Sequence, residues 1–133
     1  MAALPKLVGS VDDIGRPVVR VAVVGRDDEM LATIDTGFNG ELLMGMGDAA
    51  LLGVGQRTQG DSVELGHGVS VAVEVGRLRI VWLDAEREVT VLITDRLQPV
   101  ANGPVALVGT ALLTPHLLLI DFAQGTVEIE TQV

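Results

Sequence analysis

Apolar and polar residues alternate along most of this chain with a period of two, the signature of strands rather than helices. RPVVRVAVVG (16–25) alternates and is rich in valine, the charged GRDDE (25–29) turns the chain back, and MLATI (30–34) returns as a second strand. ELLM (41–44) predicts a further short strand. GDAALLGVG (47–55) predicts one or two helical turns, with Asp48 as N-cap and a closing glycine. TQGDSVEL (58–65) and VSVAVEVGRLRIVW (69–82) predict two strands around a turn at GHG. Val69, Val71, Val73 and Val75 share one face of the latter, but Leu78, Ile80 and Trp82 follow in the opposite phase. This one-residue change predicts a β-bulge near Gly76. DAER (84–87) predicts a turn, EVTVLITD (88–95) a strand, and VALVG (105–109) a buried strand. TALLTP (110–115) leaves room for one short helix before Pro115, and LLLIDFAQGTVEIE (117–130) predicts a hairpin around Gln124-Gly125. The sum is roughly nine or ten strands and no long helix, an all-β class.

Composition narrows the picture. The chain has 133 residues, 48% of them hydrophobic, which is enough for one cored domain over 1–133, and no linker or low-complexity segment divides it. Aromatic residues are few (Phe38, Trp82 and Phe122), so aliphatic side chains must fill the interior. A formal charge of −9, with Lys6 the only lysine, argues against a nucleic-acid surface. The lack of cysteine excludes disulfides and thiolate metal sites, and His67 and His116 lie too far apart in sequence to suggest zinc. No cofactor is implied. The stretch between Arg96 and Asp121 is uncharged and long enough to cross a membrane. It is interrupted by Asn102, Gly103, Pro104, Thr114, Pro115 and His116, so buried elements joined by turns are expected instead of a span. The N-terminal MAALPKLVGS is too short and too weakly patterned for a secretory signal, and a soluble cytoplasmic protein is expected.

One stretch asks for more than a fold. LATIDTGFNGELLM (31–44) places Asp35-Thr36-Gly37 between two apolar segments. An ordinary turn accounts for the aspartate and glycine, but not for flanks that both look buried. There is also an internal echo: ATIDTG and ALVGT each end an apolar strand with Gly and Thr, about half a chain apart.

TIDTGFNGELLM together with ALVGTALL resembles the retropepsin-like aspartic proteases, specifically the small prokaryotic single-domain group with Phe after Asp-Thr-Gly. The resemblance implies a closed β-barrel with one short helix near the C-terminal third. It makes Asp35 the catalytic carboxylate and Thr36 and Gly37 its support, with Thr36 bonding across to a partner loop. Leu107-Val108-Gly109 would pack beside that loop and, with Phe38, shape a substrate pocket. Retropepsins often carry Ala or Ser where Phe38 stands, so an altered cleft floor or side-chain pocket follows. Gly66-His67-Gly68 is the candidate flap tip, with no catalytic role for His67 and without the aromatic residue of pepsin-like flaps.

The chemistry needs two carboxylates sharing one proton, because like charges about 3 Å apart do not both ionise. Only one Asp-Thr-Gly exists, and Asp121, followed by Phe-Ala, lacks the glycine turn and reads as a hairpin residue. The pair must then come from a homodimer, Asp35 meeting its symmetry mate on the axis. In the family, terminal strands build much of the dimer sheet, and LLLIDF and TVEIE suit that purpose. The expected activity is hydrolysis of an extended peptide or protein substrate. Two alternatives stand beside it: a non-catalytic dimeric peptide-binding module, and a structural barrel in which Asp-Thr-Gly is coincidental.

Overall fold

The computed structural model describes residues 4–64, 68, 70–97 and 103–132. Among them the strands are β1 (Lys6–Val11), β2 (Pro17–Val23), β3 (Glu29–Ile34), β4 (Leu42–Gly45), β5 (Gly55–Glu64), β6 (Ser70–Trp82), β7 (Ala85–Thr94), β8 (Ala106–Val108), β9 (Leu117–Asp121) and β10 (Thr126–Glu130). Two short helices accompany them, α1 (Met46–Leu52) after β4 and α2 (Thr110–Leu113) after β8. Helix α1 starts earlier than the Asp48 cap predicts: Gly45 is its N-cap, so Asp48 lies inside the first turn.

The strands hydrogen-bond in the order β5-β6-β7-β4-β8-β3-β2-β1-β10-β9, and β2 also pairs with β6. That additional pairing closes six strands, from β6 round to β2, into a barrel. Closure leaves these six strands without an open edge, while β5 and β9 remain at the two ends of the sheet. The expected all-β closed barrel is the observed architecture, and α1 and α2 fall where short helical turns were expected.

Aliphatic side chains fill the barrel, including Val19, Val21, Ile80, Val89, Val91, Ile93 and Ile129, each at most 1% exposed. Strand β4 is buried on both faces, as a central strand must be. Leu42 and Met44 join this main core, whereas Leu43 points the other way, into a second cluster with Phe38, Val71 and Val73.

The two clusters explain the phase change in β6. Its ladder with β7 runs without interruption from Glu74↔Ile93 to Trp82↔Ala85, so β6 carries no bulge there. Instead the long strand changes the face it buries: Val71 and Val73 pack on the outer cluster, while Leu78, Ile80 and Trp82 pack inside the barrel. The register shifts lie in the pairing with the neighbouring β5, between Gly55 and Thr58 opposite Arg77 and Val75, and again between Gln59 and Ser62.

Two further departures are local. The β6–β7 turn is confined to Leu83-Asp84, whose φ values of 50° and 67° give it the left-handed geometry of a tight hairpin, and Ala85–Arg87 already belong to β7. Strand β1 escapes the sequence pattern, since KLVGSV is short and interrupted by Gly9. It forms because β10 supplies a full antiparallel partner, from Lys6↔Glu130 to Ser10↔Thr126. Lys6 Nζ adds ion pairs to Glu130 at 3.1 Å and Glu128 at 3.6 Å. No helix among the described residues is long and apolar enough to cross a membrane.

Candidate active site

Strand β8 lies between β3 and β4, parallel to the first and antiparallel to the second. The chain leaving β3 must therefore cross over the end of β8 before it can enter β4. Residues 35–41 make that crossing, which is why Asp-Thr-Gly stands between two buried segments. The echo in the sequence has the same origin: its two halves are parallel neighbours, Ala32↔Ala106, Thr33↔Leu107 and Ile34↔Val108.

Asp35 sits at the end of β3, half-buried. Its N–H donates to the Val108 carbonyl at 2.9 Å, extending the β3–β8 ladder by one bond. Its Oδ1 accepts the Gly37 N–H at 2.9 Å, and its carbonyl accepts the Phe38 N–H at 3.2 Å. The carboxylate is thus oriented by its own turn. Thr36 and Gly37 are exposed at the tip.

Below the tip the loop is clamped onto the start of α2. Thr110 donates to the Phe38 carbonyl twice, from N–H at 2.8 Å and from Oγ1 at 3.3 Å. Ala111 N–H reaches the Gly40 carbonyl at 3.2 Å, and Gly109 N–H the Glu41 carbonyl at 3.0 Å. A methyl group at Gly109 would overlap the Gly40 carbonyl oxygen and stand 2.5 Å from Phe38 Cδ2. Glycine is required here by close approach of backbone to backbone.

The resemblance also named Phe38 and Leu107-Val108-Gly109. Phe38 is 3% exposed, its ring packed over Gly40 and Gly109 in the outer cluster; Val108 is buried and Leu107 half-buried. Gly66 and His67 lie outside the described residues, whereas Gly68 has a φ of 71° in the turn before β6. Asp121 is a hairpin residue, as expected: its Oδ1 accepts the N–H groups of Ala123 and Gln124, each at 3.0 Å.

Sequence reading missed Glu41, which it placed only in a strand. The Glu41 carboxylate accepts Arg87 Nη2 at 2.6 Å and the Thr90 N–H at 2.9 Å. It ties the end of the Asp35 loop to β7. The signal was a lone acid leading an otherwise apolar run, which gave no partner. Among the described residues no cluster of three or more acidic, histidine or cysteine side chains is placed to hold a metal.

No family model matches this sequence, and no curated protein matches it. Solved structures do. A retropepsin-like aspartic protease from Rickettsia conorii superposes with a TM-score of 0.66 at 16% identity, covering 93% of this chain and 89% of that one. EIAV protease, solved with the inhibitor HBY-793, superposes with a TM-score of 0.59 at 20% identity, covering 77% of this chain and 88% of that one. The chain has the retropepsin-like fold of aspartic proteases.

Proposed function

We propose that this chain is a homodimeric aspartic endopeptidase in which Asp35 of two copies forms one active site. The observation that carries the reading is the seating of Asp35. On the aspartic protease fold, its carboxylate is oriented by the Gly37 N–H and its backbone is fixed to Val108. One chain supplies one such loop, and pairing across a two-fold axis completes the set. The exposed Thr36 is free to reach the partner loop. Strand β9 supports pairing too: it ends the sheet and presents Leu117 and Leu119, 41% and 47% exposed, on its outer face.

In the paired site one carboxylate is ionised and the other holds the shared proton. The ionised member takes a proton from water as its oxygen attacks the peptide carbonyl carbon, and the protonated member donates to the carbonyl oxygen. The tetrahedral intermediate then collapses, the C–N bond breaks, and the departing nitrogen receives a proton. An extended peptide would lie against the site as an added strand. Leu107, beside the Asp35 loop, and the candidate flap Gly66-His67-Gly68 of the sequence would shape its pockets. Phe38 would act from below, holding the loop.

The test combines digestion of a peptide library with mixed refolding. Wild type should cleave and Asp35→Asn should not. Wild type and Asp35→Asn unfolded together in equal amounts and refolded should give about one quarter wild-type dimers. Activity then falls to about half that of the same wild-type input refolded alone, because mixed dimers lack the shared-proton pair. An unchanged rate, with subunit exchange confirmed by mass, would overturn the shared site. Peptide capture without cleavage by wild type would establish the binding-module alternative.

A further inference from the structure

At the other end of β3, about 15 Å from Asp35 at roughly 3.3 Å per strand residue, a cavity of ≈ 420 Å³ opens between β2, β3, α1 and the segment entering β8. This volume falls within the usual range for small-molecule sites. Asp48 lines it, and this carboxyl has an unusual position: 9% exposed, it makes no hydrogen bond or ion pair with any described residue and does not cap its own helix. Burial without a partner raises its pKa above the ordinary carboxylate value. The carboxylate oxygens are not among the buried polar atoms sealed from solvent, so a donor entering the cavity can reach them.

The remaining lining identifies the donor. Arg20 and Arg26 stand at the mouth with Asp28 and Glu29, so the rim charges cancel and Asp48 is the one unbalanced group. Arg26 Nη1 donates to the α1 carbonyl of Leu51, at 3.0 Å, and Arg26 makes no ion pair with Asp48. The walls are aliphatic, from Met30, Leu31, Leu52 and Val105. No aromatic residue is among the described lining, so the cage that suits a quaternary ammonium is missing. A hydrogen-bonding monocation on a short apolar chain matches charge, donor and walls together.

We propose that this cavity binds a primary alkylammonium group, with its N–H donors on the Asp48 carboxylate and its methylene chain along the aliphatic walls. Such a group comes from a free amine or from a lysine side chain of a polypeptide. The site is distinct from Asp35 and does not depend on its chemistry.

The experiment titrates the wild-type protein with n-butylammonium, 1-butanol, tetramethylammonium and Nα-acetyl-lysine-N-methylamide, followed by amide NMR shifts. Butylammonium or the lysine derivative should give saturable shifts in Asp48–Leu52 and Val105 below about 50 mM, the weak affinity expected of so small a ligand. Butanol and tetramethylammonium should bind at least about tenfold more weakly, because each lacks the charged donor. Asp48→Asn should weaken butylammonium by a similar factor. Tighter binding of the lysine derivative assigns the ammonium to a polypeptide; tighter binding of butylammonium assigns it to a free amine. No saturation by either ammonium, or equal binding of butanol, overturns the proposal, and these arms need no folded variant. Undiminished binding by a folded Asp48→Asn protein also overturns it.

Discussion

Replacing Gly109 with alanine tests the packing that seats Asp35. The new methyl would overlap the Gly40 carbonyl oxygen, with Phe38 Cδ2 at 2.5 Å and the Phe38 carbonyl oxygen at 2.6 Å. Two of these neighbours are backbone atoms and the third belongs to a buried ring, so no side chain can simply swing aside. The crossing loop must lift from β8. Overpacking of this kind costs about 1–3 kcal/mol. Lifting also weakens the bonds from Gly109, Thr110 and Ala111 N–H to the loop carbonyls. Losing two of them adds about 2 kcal/mol, at roughly 1 kcal/mol each. The expected loss is about 3–5 kcal/mol, a large share of the roughly 5–15 kcal/mol that holds a domain folded. With a slope of about 2 kcal/mol per molar, the urea midpoint falls by about 1.5–2.5 M and the slope stays constant. Gly37→Ala is the control: its methyl meets only Asp35 Oδ1, at 3.3 Å, so the loss should stay below about 1 kcal/mol. Adding Phe38→Leu to Gly109→Ala removes the ring contact but leaves both carbonyl contacts, so recovery should be partial. A Gly109→Ala midpoint within about 0.5 M of wild type would refute the close-approach reasoning.

Three other outcomes follow from the same contacts. Glu41→Ala should lower unfolding free energy by about 1–3 kcal/mol in urea, and Glu41→Gln by less, because Gln keeps an acceptor for Thr90 N–H; equal losses would count against the Thr90 bond. Leu119→Glu should weaken dimerisation by at least about tenfold in sedimentation, since it buries a charge if β9 lies in the interface; an unaffected dimer would place the interface elsewhere. Asp12 is held below the ordinary carboxylate range, chiefly by the Arg16 backbone N–H, with the Arg16 side chain and Ile14 N–H adding to it. A depressed folded pKa stabilises above the unfolded value and is lost as pH falls through the folded one. Asp12→Asn should therefore melt below wild type at pH 7, and the gap should close as pH falls below the ordinary value of 3.8; a gap that persists there would show that Asp12 acts through something other than its charge.

The sequence by itself determined what depends on neighbouring residues. Alternation located most strands, Asp- and Gly-bearing turns ended them, and Pro115 limited α2 to a single turn. The Asp-Thr-Gly between apolar flanks marked the candidate site, because a carboxylate delivered by a strand end leaves a local trace. The tertiary structure decided everything that joins distant segments. β8 enters between β3 and β4 by pairing residues more than sixty apart, and that insertion turns residues 35–41 into a crossing loop. β1 gains its order from β10 at the far end of the chain. The phase change in β6 looked like a bulge because periodicity records which face is apolar, not which core lies against it. Two cores on opposite faces of one continuous ladder produce the same pattern. Glu41 belongs to the site for the same reason: its partners, Arg87 and Thr90, come within reach only when β4 lies beside β7.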